Sequence, residues 1–243
     1  MIIALIICAI EFCVDGLIEY NNIKNEISIF KSRGELAFID EEKKYYYYEI
    51  SSNETSRTFD YKWLYDEEKT NDYFGDIGDI TITNRNPLRE YPFSEFVGVV
   101  AKYFYCGHAT INIDNGLLIE SEGKEDKVVR EKESFWLQDE SFNEVIGLKV
   151  NVSTESKLQA ANNAKNKLGL KYNWFFPISF KDSYYCTDLI TSCYKDIINL
   201  NSDLFITTGN DLIDNKNTYI YYFQEKVYNN GCLETHIYYL KNK

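Results

Sequence analysis

The stretch Gly107-His108-Ala109-Thr110-Ile111-Asn112-Ile113-Asp114-Asn115-Gly116-Leu117-Leu118-Ile119-Glu120-Ser121 carries the clearest structural signal in the chain. Residues alternate from Ala109 to Ile113, Asp114-Asn115-Gly116 is turn chemistry, and an apolar run returns to Ser121, which together specify a β-hairpin. The stretch also holds one of the two histidines of the sequence, so the search for a general base is short. In a three-residue Asp-Asn-Gly loop with Gly116 left-handed, Ile113 pairs with Leu117, Thr110 with Glu120, and His108 faces Glu122. His108 and Glu120 are then diagonal neighbours on one face, ~7–8 Å apart at the backbone and within reach of each other. A two-residue Asn-Gly turn would put Glu120 on the opposite face. Loop length therefore decides whether Glu120 orients the imidazole, as the third member of a triad does, or whether Glu120 and Glu122 are two exposed strand acids. The second histidine, His236, has no polar cluster near it in the sequence.

Downstream, the strongest helical pattern begins near Tyr185. Cys186, Leu189, Ile190, Cys193, Tyr194, Ile197 and Ile198 follow the 3.6-residue stripe. Cys186 falls in the first turn, where free N–H groups and partial positive charge lower a thiol pKa and can receive an oxyanion. Cys193 lies roughly 10 Å further along the axis at ~1.5 Å per residue and reads as core, as does Tyr194. A small buried apolar group is the competing reading of Cys186 itself. Cys106-x-His108 with Cys186 and Cys193 would offer zinc three sulfurs and one nitrogen, but a C-x6-C pair on one helix spans too far to chelate one ion. No metal and no cofactor is expected.

Working outward, short strands are expected at Ile27–Phe30, Leu36–Ile39 and Tyr45–Ile50, with Ser32-Arg33-Gly34 as the turn between the first two. Gly75-Asp76-Ile77-Gly78-Asp79 is a turn leading into the alternating strand Ile80-Thr81-Ile82. Pro87 and Pro92 sit in a loop, and Ser94–Tyr105 has a helical stripe with Ser94 as N-cap. Val145–Val152 is a strand, Glu155–Leu168 a helix with Gly169 as its C-cap, and Tyr172–Phe180 an aromatic loop. Thr218–Phe223 and His236–Leu240 are late strands.

Composition narrows the functional classes. With 243 residues, 44% apolar and 26% charged, the chain is globular and long enough to bury a core without staples. Its 26 basic and 38 acidic residues give a net charge of −12, which argues against a phosphate-backbone partner. Six cysteines with no C-x-x-C pair do not make a disulfide framework. The apolar run Ile2–Ile10 is too short to span a bilayer and lacks a basic flank, since the first basic residue is Lys24. A buried strand or helix, a degenerate signal and a signal truncated at its start remain as readings. Export or anchoring stands beside a cytoplasmic location, and any membrane association would run through this N-terminus.

Four motifs in order resemble the permuted papain-like enzymes of the YaeF/YiiX type, in the NlpC superfamily. They are Gly75-Asp76-Ile77-Gly78-Asp79-Ile80, Gly107-His108-Ala109-Thr110-Ile111, Leu118-Ile119-Glu120-Ser121 and Tyr184-Tyr185-Cys186-Thr187-Asp188-Leu189-Ile190. Gly169-Leu170-Lys171-Tyr172-Asn173 resembles the family's G-x-x-Y-[DN] segment, and Thr207-Thr208-Gly209-Asn210-Asp211-Leu212 a worn T-P-x-D-L segment. The resemblance implies an α+β fold in which an antiparallel half-barrel sheet packs against the Cys-bearing helix, with His before Cys in the permuted order. It implies catalytic roles for Cys186, His108 and Glu120. It covers residues 73–225, leaving 1–72 as a partly β extension and 226–243 as a C-terminal strand segment. The implied activity is thiol hydrolysis of amide bonds through an acyl-enzyme. The implied substrates are a peptide, a cell-wall peptide or a lipid or acyl amide. Acyl transfer by the same triad and a non-catalytic binding module are the alternatives. Oligomeric state is not encoded in these features.

Overall fold

The computed structural model describes residues 2–51, 75–84, 103–105, 107–114, 116–123, 129–133, 142–175, 180–201 and 206–241, with side chains from residue 14 to 240. Eleven strands are described. Nine form one sheet, in the order β1 (Gly34–Asp40), β2 (Tyr45–Ser51), β11 (Cys232–Lys241), β10 (Thr218–Asn229), β7 (Glu144–Val150), β3 (Ile80–Thr83), β4 (His108–Asp114), β5 (Leu117–Ser121) and β6 (Val129–Glu133). Every neighbouring pair is antiparallel except β11 with β2, which is parallel. A two-stranded parallel pair, β8 (Lys171–Tyr172) and β9 (Ser183–Tyr184), stands apart. The helices are α1 (Ile2–Ser32), α2 (Thr154–Lys165), α3 (Cys186–Tyr194) and the short α4 (Gly209–Ile213). The architecture is mixed α+β around a large, mostly antiparallel sheet.

Strand alternation gives the central sheet two different faces. Ile80, Ile82, Ala109, Ile111, Ile146 and Leu148 line one face and are fully or almost fully buried. Thr81, Thr83, His108, Thr110 and Glu120 line the other. Helix α1 lies on the apolar face. Its Lys24 pairs with Glu144 at 2.9 Å and its Lys31 with Glu225, two acids that are cross-strand partners on β7 and β10. Helices α2 and α3 pack on β4 from the polar face.

Residues 27–30 correct the sequence reading. Ile27-Ser28-Ile29-Phe30 alternates as a strand would, yet it belongs to α1. Ile23, Ile27 and Phe30 are buried, at helical spacing, while Ile29 is 45% exposed. A four-residue window could not separate the two periods, and the packing of the 3.6-residue stripe decided between them. Ser32-Arg33-Gly34 accordingly joins a helix to a strand, with Arg33 N–H donating to the Phe30 carbonyl. No helix among the described residues is long and apolar enough to cross a membrane. The helix expected at Ser94–Tyr105 and the Pro87/Pro92 loop fall almost wholly outside the described residues.

The Gly75–Asp79 turn is where the elements on the polar face are tied together. Gly75 and Gly78 hold φ of 88° and 83°, a region that favours glycine. That winding delivers Asp79, fully buried, to Lys149 Nζ at 2.8 Å and Lys157 Nζ at 2.9 Å. Lys149 also reaches Asp76 at 2.8 Å, and the Asp76 N–H donates to Asp79 Oδ2. Gly78 N–H donates to the Asn112 carbonyl and Asn112 N–H to that of Asp79, while Tyr194 Oη donates to the Gly78 carbonyl. One turn thus grips β7, α2, β4 and α3. Burial alone would push the Lys149 ammonium down, but Asp79 and Asp76 outweigh it and hold the pKa above the ordinary lysine value. Removing one member of such a cluster strands buried charge. Asp79→Ala is expected to cost about 3–5 kcal/mol of stability in a urea titration; a change within error would show that the lysines find water.

Candidate active site

The hairpin loop decides the geometry. Gly116 has φ of 74°, and Thr110 stands opposite Glu120. The ladder shifts by one residue at the turn, so that Asp114 takes the place opposite Leu117 expected for Ile113. That bulge leaves His108 and Glu120 on one face as diagonal neighbours. Their side chains close the remaining gap, with His108 Nε2 2.9 Å from Glu120 Oε2. Glu122, just past the strand end, is paired with Arg130.

The thiol comes from α3, which begins at Cys186. Tyr185 is the N-cap, in an extended conformation and with no side-chain hydrogen bond to the first turn, so its side chain takes up none of the N–H groups at the helix head. Cys186 is hydrogen-bonded to His108, and the backbone N–H groups of Ala109 and Thr187 also face its sulfur. Burial would raise its pKa. The His108 hydrogen bond and charge and these two N–H groups reverse that, and the thiol titrates below its usual range. Burial would likewise lower the imidazole, yet hydrogen bonds and charge from Cys186 and Glu120 push it up to about 10. Burial would raise the Glu120 carboxyl, but His108, Lys132 and Arg130 take it down to about 2. Each of the three shifts runs toward the charged form of its own group.

The remaining candidates fall elsewhere. Cys193 is buried in the core, its thiol pushed up to about 12 by burial. The α-helix stops at Tyr194; the stripe read on to Ile198 continues only as a turn, with Ile197 and Ile198 N–H bonded to the Tyr194 carbonyl. His236 is stacked between Tyr46 and Tyr48 on β2. Cys232 is exposed on β11. Cys106 and the side chains of Cys8 and Cys13 lie outside the described residues. Among the described residues no group of three or more His, Cys, Asp or Glu is placed to hold a metal ion.

Two groups of residues had no functional reading in the sequence. Strand β6 brings Arg130 directly opposite Glu120, where Arg130 Nε reaches Glu120 Oε1 at 2.9 Å. The signal was the alternation Arg130-Glu131-Lys132-Glu133, which puts two cations on one face. The second is Thr207–Asp211. Thr207 N–H donates to Tyr185 Oη at 2.9 Å, and Thr187 Oγ1 donates to the Thr207 carbonyl at 2.6 Å. Both residues flank Cys186. Three residues on, Asn210 Nδ2 donates to the Tyr103 carbonyl at 2.8 Å, and Gly209 lies against Tyr105, whose φ is 43°. A capping box between Thr208 and Asp211 fixes the segment. One short stretch therefore holds the chain on both sides of Cys186 and the chain leading into His108.

A helix-head cysteine thus stands beside a strand histidine on the polar face of a large, mostly antiparallel sheet. The family model for the permuted papain-like amidase enzymes, YaeF/YiiX, C92 family, matches residues 92–231, and the chain belongs to that family. Among solved structures, the metalloprotein yiiX from Escherichia coli O157:H7 is similar, with a TM-score of 0.45 and 16% identity over 60% of this chain and 95% of that one. No curated protein matches the chain.

Two outcomes follow from this geometry. A Cβ at position 209 would overlap the Tyr105 carbonyl oxygen; Gly209→Ala is expected to cost about 1–3 kcal/mol in thermal or urea unfolding and to slow Cys186 alkylation. The Glu120 carboxyl, at about 2 when folded against 4.5 as its ordinary value, adds stability that is complete above pH 4.5 and lost as pH falls toward 2. Unfolding free energy should therefore fall more steeply across that window in the wild type than in Glu120→Gln. Parallel slopes would show that Glu120 is not held ionised.

Proposed function

We propose that the protein is a thiol hydrolase that cleaves amide bonds, peptide or N-acyl, with Cys186 as nucleophile, His108 as general acid and base, and Glu120 as the group that orients His108. The supporting observation is the hydrogen-bonded series Cys186–His108–Glu120 at the head of α3. Nε2 of the ring is engaged by Glu120, so Nδ1 is the nitrogen that serves the sulfur. The thiolate attacks the carbonyl carbon, and the head of α3 is placed to receive the oxyanion. Collapse breaks the C–N bond as His108 passes its proton to the leaving amine. The thioester is then opened by water, from which His108 takes a proton, releasing a carboxylic acid and restoring the ion pair.

In this reading residues 73–225 are the catalytic domain, permuted and of NlpC type, with the sheet as a half-barrel against α3. Residues 1–72 and 226–243 are additions to it. The substrate is a peptide, a cell-wall peptide or a lipid or acyl amide. The family's description as amidases is compatible with each of these.

The test is alkylation of Cys186 by iodoacetamide as a function of pH, read by mass spectrometry. Cys186 is expected to react fully well below pH ~8.5, the ordinary thiol value, and His108→Ala to remove that advantage. Cys186→Ala is expected to abolish release of amine from a panel of N-acyl and peptidyl amides. A Cys186 that titrates like an unfolded-state thiol would overturn the reading.

A further inference from the structure

We propose that Arg130 is a positioning residue of this site: from edge strand β6 its guanidinium fixes Glu120 in the orientation that holds the His108 ring toward Cys186. The inference rests on the Cys186–His108–Glu120 reading above and extends it by one shell.

The two oxygens of Glu120 are divided between two partners. Oε2 takes His108 Nε2 at 2.9 Å, and Oε1 takes Arg130 Nε at 2.9 Å. A carboxylate bonded at one oxygen can still rotate about its last torsion; bonded at both from opposite sides, it cannot. Arg130 is itself fixed, because its Nη2 donates to Glu122, two residues on from Glu120 and just past the end of β5. The planar fork therefore spans Glu120 on β5 and Glu122 just beyond it. Lys132 Nζ stands 3.6 Å from Oε1, a distance that supplies charge without direction.

The side chain of Glu120 is only 1% exposed, and an ionised carboxylate at such a position needs its counter-charges. The titratable and charged groups around it are His108 on β4 with Cys186 beyond it on α3, Glu122 just past the end of its own strand, and Arg130 and Lys132 on β6. Removing Arg130 takes away positive charge that favours both the carboxylate and the thiolate. Both changes move the acid limb of Cys186 reactivity in one direction, to higher pH.

The experiment measures the rate of Cys186 alkylation by iodoacetamide between pH 3 and 9, on the full chain, for wild type, Arg130→Ala, Arg130→Lys and Arg130→Gln, with thermal unfolding alongside. Arg130→Ala is expected to lower the plateau rate about tenfold, the scale of one charge-assisted hydrogen bond, and to raise the acid limb by about one pH unit. Arg130→Lys should return the limb and not the plateau. Arg130→Gln should leave the limb displaced. A wild-type plateau and limb in Arg130→Ala, or a change in melting temperature alone, overturns the proposal. Should Arg130→Ala not fold, an undisplaced limb in Arg130→Gln overturns it. A wild-type Cys186 with no low-pH reactivity refutes the triad reading and this proposal together; a reactive wild type with unmoved variants refutes this proposal alone.

Discussion

The buried carboxylate of Asp79 is the constraint on which the other distances depend. It is fully buried and ionically bonded to two lysines from separate elements, one on β7 and one on α2. Because the penalty for breaking such a cluster is larger than that for a missing surface contact, the distance between the sheet and the helices on its polar face has little freedom. Tyr194 closes the arrangement from α3 by donating to the carbonyl of Gly78. The head of α3 is thereby fixed relative to β4, and the Cys186–His108 hydrogen bond needs that spacing held.

Within the site, charge alternates along a line: sulfur, imidazole, carboxylate, guanidinium, carboxylate. His108, Glu120 and Cys186 are each shifted toward the charged form by the groups beside them, against burial that acts the other way. The helix head contributes the N–H of Thr187, and the neighbouring strand that of Ala109. No single contact here is large. The low local dielectric makes the series strong when complete and costly when interrupted.

Much of this was legible in the residues, and the reasons are specific. The Asp-Asn-Gly turn showed where the hairpin reverses, but its length did not set the face of Glu120: the ladder closes on Asp114 and Leu117, and the bulge at Ile113, which the sequence did not announce, keeps Thr110 opposite Glu120. The helix stripe starting at Cys186 was readable because its apolar period is unbroken. Ile27–Phe30 misled because a short apolar pattern satisfies two periods, and only the sheet face under α1 chooses between them. Arg130 and the Thr207–Asp211 segment were not readable as functional. Their roles depend on which strand lies beside β5 and on which backbone passes near Tyr105, and neither is a property of local sequence. The parallel pairing of β2 with β11 was equally invisible, since nothing in Tyr45–Tyr48 names a partner nearly two hundred positions away.

That pairing has a consequence for how the chain acquires its shape. Strand β11 lies between β2 and β10, so the hairpin of β1 and β2 has no place in the large sheet until Cys232–Lys241 has formed its strand. The contact joins remote parts of the polypeptide, and such closures are slow because a long loop must be ordered first. During synthesis on the ribosome the tyrosine-rich edge of β2 would stay open while everything between emerges, an interval in which shielding by a chaperone would matter most.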